Sequence, residues 1–409
     1  MGKNTIRNCV FFLFYCIFLM SIPPVLFADD KTKEESGFNW KAYYNGDVFY
    51  GATGGLEDKT SYLGKIDLTL NADFEKLMNL KDTTGLVEIQ NLHGQRPDLY
   101  VHSIQGFDNI EYDKLSTMTY LYQLWLQHTI GQHWSILAGF FDLNSEFYVT
   151  DSSLYLLLQA FGTGTDLGQT GPNHGPSIYP LIGAAVRVKY SLSPSNYAEA
   201  ALFDASSANP LNAAYSHMPF STGQGSFLIF EVTHVFLDSQ NKNSLGKIAL
   251  GTWGYTHPTN EFMSPGSIET PDKIYNKGLY TLIDYPLYMS THDSSKIIHG
   301  FLRYGITTTA VNVFNRALGA GMTFNGFIPG RPDDIVSYGL SPAWTSAKSR
   351  MANPGLPVAE WQNELTYVAS MNKWLALQPD VQYLTFPEAD RAQFKNAFLV
   401  GMRVIVTVG

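Results

Sequence analysis

Residues 64–75 read GKIDLTLNADFE, and this stretch decides the fold class. Successive side chains of a β-strand point to opposite faces of a sheet. In an extended conformation one face of this stretch is apolar, with Gly64, Ile66, Leu68, Leu70, Ala72 and Phe74. The opposite face is polar, with Lys65, Asp67, Thr69, Asn71, Asp73 and Glu75. Such a strand requires an apolar environment on one side and water on the other.

The same alternation recurs along the chain and predicts many strands. It is visible at residues 38–45, 117–127, 183–190, 300–307 and 397–408. In residues 117–127 the predicted apolar face contains Met118, Tyr120, Tyr122, Leu124 and Leu126. In the last of these strands it contains Phe398, Val400, Met402, Val404, Val406 and Val408. Strands therefore begin near residue 38 and continue to the C-terminus.

The first 28 residues resemble an export signal. Lys3 and Arg7 supply positive charge, an apolar core follows, and Ala28 offers a small residue for cleavage. We predict a signal peptide over residues 1–28 and a single barrel domain over residues 29–409. Both cysteines, Cys9 and Cys16, lie inside the leader, so the mature chain is predicted to have no disulfides.

The composition is typical of an outer-membrane barrel. Aromatic residues make up 14% of the chain, charged residues only 15%, and there are 35 glycines. No apolar run after the leader is long enough for a membrane-spanning helix, so a membrane protein of this sequence has to be a barrel. The net charge of −9 argues against nucleic acid as a partner.

A soluble β-sandwich or propeller is the alternative fold, with the apolar faces packed as a core. No repeat of constant length supports a propeller. Tyrosine and tryptophan also cluster near predicted strand ends, as membrane-interface girdles do. These residues are Trp40, Tyr43, Tyr44, Tyr120, Tyr122 and Trp374. We therefore predict an all-β protein, a closed antiparallel transmembrane β-barrel.

Chain length and connections predict the size of this barrel. With roughly 24 residues for each strand and its connection, the mature chain forms about sixteen strands, enough to enclose an aqueous lumen. Residues 192–196 form a tight connection, whereas long polar loops are predicted at residues 204–224, 256–272 and 339–357. Short turns at one end and long loops at the other are typical of outer-membrane barrels.

The segment at residues 140–180 is the main departure from alternation. It reads FFDLNSEFYVTDSSLYLLLQAFGTGTDLGQTGPNHGPSIYP and resembles the signature segment of the OprB family of carbohydrate-selective porins. Residues 361–386, with ELTY and WLALQPDVQYL, are similar to that family's C-terminal part. The resemblance covers most of the mature chain. It implies an outer-membrane barrel of about sixteen strands that passes sugars by facilitated diffusion. The chain departs from the usual pattern by ending in Thr407, Val408 and Gly409 rather than an aromatic residue.

Asp142 and Glu146 are candidate pore residues in this segment. As the paired carboxylates of a glycosidase they would lie about 13 Å apart on one face of a strand, which is too far for either hydrolytic mechanism. Two interpretations stay open. The carboxylates accept hydrogen bonds from sugar hydroxyls at a constriction, or they hold the segment to basic residues of the wall.

The glycine-rich stretch GTGTDLGQTG at residues 162–171 lacks the lysine of a phosphate-binding loop. Its glycines favour a tightly folded loop inside the lumen. In that arrangement polar side chains face the pore, namely those of Asp166, Gln169, Asn173 and His174.

Basic residues on the polar faces complete the predicted constriction. Arg187, Lys189 and Arg303 lie on polar faces, and Arg96 and Arg316 lie near them. A guanidinium group can engage two neighbouring hydroxyls. Each of these residues can instead serve ordinary electrostatics of the wall.

The sequence predicts no enzyme activity, cofactor or metal, since the histidine spacings match no metal cluster. The predicted partners are a mono- or oligosaccharide and outer-membrane lipid. Whether the barrel is a monomer or a homotrimer stays open. The alternative functions are a porin for other small solutes, a secreted β-rich glycosidase and a structural surface protein.

Overall fold

The computed structural model describes most of the chain from Ser36 onward. The described ranges are residues 36–55, 59–95, 98–112, 117–172, 175–207, 225–238, 243–293, 295–390 and 392–409. The predicted signal peptide at residues 1–28 lies outside them.

Sixteen antiparallel strands form one closed barrel, which confirms the predicted fold class and strand number. Each wall strand pairs with the next wall strand along the chain, and the first closes the barrel by pairing with the last, where Val48 lies opposite Met402. The wall strands are β1 (Phe38–Gly54), β2 (Thr60–Asp73), β3 (Thr83–Gly94), β4 (Met118–Ile130), β5 (Trp134–Phe140), β6 (Ala184–Ser193), β7 (Asn196–Asp204), β8 (Ser226–Leu237), β9 (Ser244–Tyr255), β12 (Lys277–Met289), β13 (Ile297–Thr307), β14 (Phe314–Asn325), β15 (Ile335–Thr345), β16 (Ala359–Asn372), β17 (Leu375–Thr385) and β18 (Ala397–Val408).

The remaining elements are short. β10 (Thr259–Asn260) and β11 (Lys273–Ile274) pair with each other inside the long loop between β9 and β12. The helices are α1 (Phe74–Met78), α2 (Asp98–Val101), α3 (Thr165–Gly168) and α4 (Ala347–Ala352). Within the described ranges, no helix has both the length and the apolar character needed to cross a membrane.

Outward positions carry the apolar side chains, as the alternation predicts. Ile66 and Leu68 on β2 are 44% and 47% exposed on the outer surface, whereas Asp67 between them is buried inside. On β13, Leu302, Tyr304 and Ile306 likewise face out. The predicted strand at residues 64–75 ends two residues early because Asp73 caps α1, accepting hydrogen bonds from the backbone N–H groups of Glu75 and Lys76.

The two ends of the barrel differ as predicted, with one correction. The tight connection between β6 and β7 lies at one end, and the 43-residue connection at 141–183 lies at the other. The prediction of a loop over residues 339–357 is wrong at its start, because β15 continues to Thr345. Pro342 lies within this strand, and its missing N–H leaves a gap in the ladder with β14 beside the pair Ala317 and Ala343.

A β-bulge in β4 overturns the prediction of one apolar face over residues 117–127. The pairing with β3 shifts between Glu88 and Ile89, so that Tyr122 is the extra residue. A bulge reverses the alternation beyond it. Tyr120 and Tyr122 are therefore buried inside the barrel, whereas Leu124 and Leu126 face out.

The aromatic girdles are partly as predicted. Trp40 and Trp374 are exposed near strand ends, but Tyr120 and Tyr122 belong to the interior. Tyr50 is exposed toward the opposite end of β1 from Trp40. A rise of about 3.3 Å per residue and a tilt of roughly 40° separate these two rings by about 25 Å along the barrel axis, which is the usual height of the apolar band.

Charge should be tolerated very differently on the two faces of β2. We expect Ile66→Arg, on the outer face, to destabilise the barrel in phospholipid by about 2–4 kcal/mol because the charge enters the apolar band. Asn71→Arg, at an exposed position on the inward face, should change stability by less than about 1 kcal/mol. Denaturant unfolding of both variants in vesicles provides the measurement, and equal losses would contradict the assignment of faces.

Candidate functional site

The connection between β5 and β6, residues 141–183, folds into the barrel, and we call it the inserted segment. It contains three 3-10 turns, Leu143–Ser145, Asp151–Tyr155 and Gln159–Phe161, followed by α3. Its buried apolar side chains include Phe141, Leu143, Phe147, Leu156, Leu157, Leu158, Phe161 and Leu167. The segment is therefore a packed element of the interior rather than a loose loop.

Apolar patches of the inner wall receive these side chains. The Phe141 ring lies 4.9 Å from that of Phe203, and the Tyr148 ring lies 4.3 Å from that of Tyr280. On β15, Gly339 leaves space for Phe161, since a Cβ atom there would lie 2.4 Å from the ring. The inner wall of the barrel thus includes a surface shaped for the inserted segment.

Carboxylates of the wall bind backbone N–H groups of the inserted segment. Glu231 on β8 accepts from the Tyr148 N–H at 3.1 Å. Asp284 on β12 accepts from the N–H and the hydroxyl of Ser152, at 2.7 Å and 2.5 Å. Glu364 on β16 accepts from the N–H groups of Leu157 and Leu158, at 2.5 Å and 2.8 Å. Such charge-assisted bonds are roughly twice as strong as neutral ones, so three strands hold the segment in place.

Arg303 on β13 binds carbonyl groups of the same segment. Its guanidinium donates to the carbonyl oxygens of Phe161 at 2.9 Å and of Gly162 at 2.5 Å, and also to that of Ala160. The side chain is 1% exposed. The Arg303 guanidinium thus binds carbonyl groups beneath the segment and does not border open space.

Asp166 on α3 is buried against the same strand. It accepts a hydrogen bond from the Tyr148 hydroxyl at 2.9 Å. Its carboxylate packs on Gly305, where a Cβ atom would lie 1.8 Å from Oδ2. Burial raises the pKa of Asp166 to about 6, against the opposing effects of the Tyr148 hydrogen bond and the Arg303 charge.

Glu146 and Arg187 form an ion pair between the inserted segment and β6. The Arg187 Nε atom lies 2.9 Å from Glu146 Oε2. The same guanidinium donates to Ser135 Oγ and to Gln127 Oε1, both at 2.8 Å. Arg187 is therefore saturated by protein partners.

The strand geometry assumed for Asp142 and Glu146 is wrong. Asp142 is the N-cap and Glu146 the C-cap of the 3-10 turn Leu143–Ser145, so the chain between them is coiled. The two carboxylates bind different partners, since Asp142 Oδ2 accepts from the Tyr122 hydroxyl at 2.5 Å.

A second loop, between β3 and β4, also enters the barrel. Glu360 on β16 accepts from the Ser103 hydroxyl and the Ile104 N–H, both at 2.6 Å. Arg403 on β18 donates to Asn109 at 2.7 Å and to Asp108 at 3.2 Å. Both entering loops are therefore anchored by charged side chains of the wall.

A cavity of about 340 Å³ is left between the two loops and the opposite part of the wall, and we call it the opening. Wall residues Asn45, Lys65, Glu88, Gln90, Tyr122 and Arg403 line one side of it. Loop residues on the other side include Gln105, Asn109, Asp142, Asn144, Gln159, Gln169 and Tyr179. Nearly every lining side chain is a hydrogen-bonding group.

The bulge in β4 builds one corner of the opening. Because two consecutive residues point inward there, Tyr122 reaches Asp142 while Gln123 donates to Glu88 at 2.7 Å. Gln123 Oε1 also accepts from the Asp142 N–H at 3.3 Å. Through Gln123, the bulge thus connects the inserted segment to β3.

The structure separates the sequence-predicted site residues into three groups. Asp142 lines the opening. Glu146, Asp166, Arg187 and Arg303 lie in contacts between the inserted segment and the wall. Arg96, Asn173 and His174 lie outside the described residues. Within the described ranges, no group of three or more His, Cys, Asp or Glu side chains is placed to hold a metal ion.

The sequence analysis missed the wall carboxylates Glu231, Asp284, Glu360 and Glu364. Each is an acidic residue on the inward face of an alternating strand. The alternation of each strand indicates that these residues face inward. It does not indicate which backbone groups they bind, because those groups lie far away in the sequence.

Comparisons with known proteins agree with this architecture. The family model for the carbohydrate-selective porins of the OprB family matches residues 57–407. Porin B of Pseudomonas aeruginosa is 21% identical over 422 aligned positions, covering 90% of this chain and 87% of that protein.

Solved structures show the same fold. The high-pH structure of Pseudomonas putida OprB superposes with a TM-score of 0.80 at 18% identity, covering 92% of this chain and 96% of that one. The outer-membrane channel DcaP of Acinetobacter baumannii gives a TM-score of 0.55 at 10% identity, covering 91% and 97%. The chain belongs to the OprB family of carbohydrate-selective porins and is an integral β-barrel of the Gram-negative outer membrane.

Proposed function

We propose that the barrel passes small sugars by passive diffusion and selects them at the opening between the two entering loops. The observation that carries this proposal is the lining of that 340 Å³ cavity. Donors and acceptors both surround it, supplied by seven amide side chains, two carboxylates and two tyrosines. A hydrated solute has to exchange water for these groups in order to pass.

Sugar hydroxyls match such a lining because each hydroxyl both donates and accepts. A polar solute that loses water without gaining new partners meets a penalty of about 1–3 kcal/mol per unsatisfied group. A sugar recovers these hydrogen bonds from partly exposed lining side chains such as Asn45 and Gln159. The rings of Tyr122 and Tyr179 also border the opening and offer faces to the apolar side of a sugar ring.

Among the predicted site residues, we assign Asp142 to direct contact with the sugar. Glu146, Asp166, Arg187 and Arg303 act through the position of the inserted segment, since their polar groups contact protein atoms. Roles for Arg96, Asn173 and His174 stay predictions.

Transport without catalysis is part of this proposal. Asp142 is bound to Tyr122 and Glu146 to Arg187, so the two do not form a pair poised around a glycosidic bond. A hydrolysis assay on chromogenic glycosides tests the alternative of a glycosidase.

Conductance measurements test the proposed function directly. Purified protein in planar bilayers should show discrete conductance steps, and glucose should reduce them in a saturable manner because it occupies the opening. Conductance without any effect of glucose or short oligosaccharides would favour a porin for other solutes. Absence of channel activity would reject the proposal.

Loosening the inserted segment should widen the pore. Glu364→Gln replaces one of the two oxygens that accept from Leu157 and Leu158 by an NH2 group, which leaves one backbone N–H without an acceptor, and we expect a loss of about 1–3 kcal/mol in the docking of the segment. Single-channel conductance should rise and glucose block should weaken. Glu75→Gln, an exposed residue on α1, is the matched control. Parental conductance in Glu364→Gln would show that this anchor is dispensable.

The raised pKa of Asp166 predicts a pH dependence of stability. The folded protein holds this proton up to a pH of about 6, whereas the unfolded chain releases it near the ordinary aspartate pKa of 3.8, so stability from this group is lost as pH rises through that window. Asp166→Asn should remove the effect. Its advantage over the parent in free energy of unfolding should grow by up to about 3 kcal/mol across the window.

Denaturant unfolding at several pH values measures this difference, with the exposed Asp272→Asn as control. A constant difference between Asp166→Asn and the parent from about pH 4 to pH 7 would contradict the burial of a titrating carboxylate.

A further inference from the structure

Carboxylates outnumber cations around the opening. Within the described part of the chain, the charged residues that line it are Lys65, Glu88, Asp142 and Arg403. Asp67 contacts Lys65, and Asp47 and Asp108 contact Arg403. This set holds two cations and five carboxylates.

Both cations are already paired. Arg403 donates to the two oxygens of Asp47 at 2.7 Å and 2.5 Å, and Asp108 lies 3.2 Å from the same guanidinium. Lys65 Nζ lies 3.1 Å from Asp67 Oδ2. Both positive charges are therefore held by protein carboxylates, which weakens their attraction for an anionic solute.

Glu88 and Asp142, in contrast, have only neutral donors among their described partners. Glu88 accepts from Gln90 at 3.0 Å and from Gln123 at 2.7 Å. Asp142 accepts from the Tyr122 hydroxyl at 2.5 Å and the Asn144 N–H at 2.8 Å. Among the residues that the structure describes, no Lys, Arg or His makes an ion pair with either carboxylate. The charge of Lys65 also acts on both carboxylates, but Lys65 is bound to Asp67, so the five carboxylates still outweigh the two cations around the opening.

The two carboxylates act on the same volume. Gln123 contacts both, since its Nε2 donates to Glu88 and its Oε1 accepts from the Asp142 N–H. Asp67 adds a buried negative charge beside them. Its side chain is 7% exposed, and its Oδ1 atom has no hydrogen-bond partner in the described structure. Asp67 lies next to Lys65 and opposite Gln90 in the β2–β3 pairing, and both of these residues line the opening.

We infer that the opening prefers solutes that carry a protonated amine, and that amino sugars are the class it binds best. An ammonium group has three donors, and charge-assisted hydrogen bonds to Glu88 and Asp142, which line the opening, strengthen its binding over that of a hydroxyl. A carboxylated sugar meets repulsion from the same groups. In a narrow passage with little water these charges are weakly screened. The inference rests on the proposed function and names its substrate class.

Three sugars of similar size provide the probes. In planar bilayers at about pH 6, where an amine is protonated, we expect glucosamine to block the parent channel roughly tenfold more tightly than glucose. Glucuronate should block more weakly than glucose. Under a salt gradient the reversal potential should show preference for K⁺ over Cl⁻.

The outcomes separate this inference from the proposed function. Glucose block with glucosamine no tighter than glucose, or a preference for Cl⁻, would overturn the inference and leave the sugar porin intact. If no sugar changes the conductance, the proposed function fails and the inference fails with it.

Two nearly isosteric variants test the assigned carboxylates. Glu88→Gln and Asp142→Asn each remove one charge while keeping shape, and the ratio of glucosamine to glucose affinity should fall several-fold in each. Glu269→Gln removes one charge from an exposed loop position and should keep the parental ratio. Parental ratios in both site variants would overturn the assignment. If a variant does not assemble, the comparison of the three sugars on the parent protein decides.

Discussion

The structure depends on supplying hydrogen-bond partners to the backbone N–H and C=O groups of a segment that lies inside a barrel. Residues 141–183 carry few regular hydrogen bonds of their own, because their 3-10 turns and α3 are short. Buried N–H and C=O groups without partners are strongly disfavoured. Glu231, Asp284 and Glu364 accept the N–H groups, and Arg303 donates to the carbonyls. The charged residues of the wall thus substitute for the strand or helix partners that the segment lacks.

The position of these anchors determines where space is left inside the barrel. The anchoring carboxylates and Arg303 are on β8, β12, β13 and β16. Strands β1 to β3 and β18 contribute polar inward side chains to the lining of the opening, and the segment reaches β4 through Tyr120 and Tyr122. The opening is therefore eccentric and bounded by wall on one side and loops on the other.

Alternation of side chains was sufficient to predict the barrel and the faces of its strands. It placed Arg187 and Arg303 on inward faces correctly, because the direction of a side chain depends only on local strand geometry. It failed at Tyr122, since a bulge is defined by the pairing with β3 and leaves no mark in the period of β4 alone. It also could not assign partners, because Arg303 meets carbonyls about 140 positions away in sequence.

Glutamate has two roles inside this barrel, and contact with the entering loops decides which role a given glutamate has. Glu364 and Glu88 are both glutamates on inward faces of wall strands. Glu364 lies beneath the inserted segment, and its two oxygens accept from two backbone N–H groups, so they are used internally. Glu88 lies where the segment stops short, and side-chain amides support it without neutralising it. The same wall chemistry therefore anchors the inserted segment on one side and gives the cavity beside it its electrostatic character on the other.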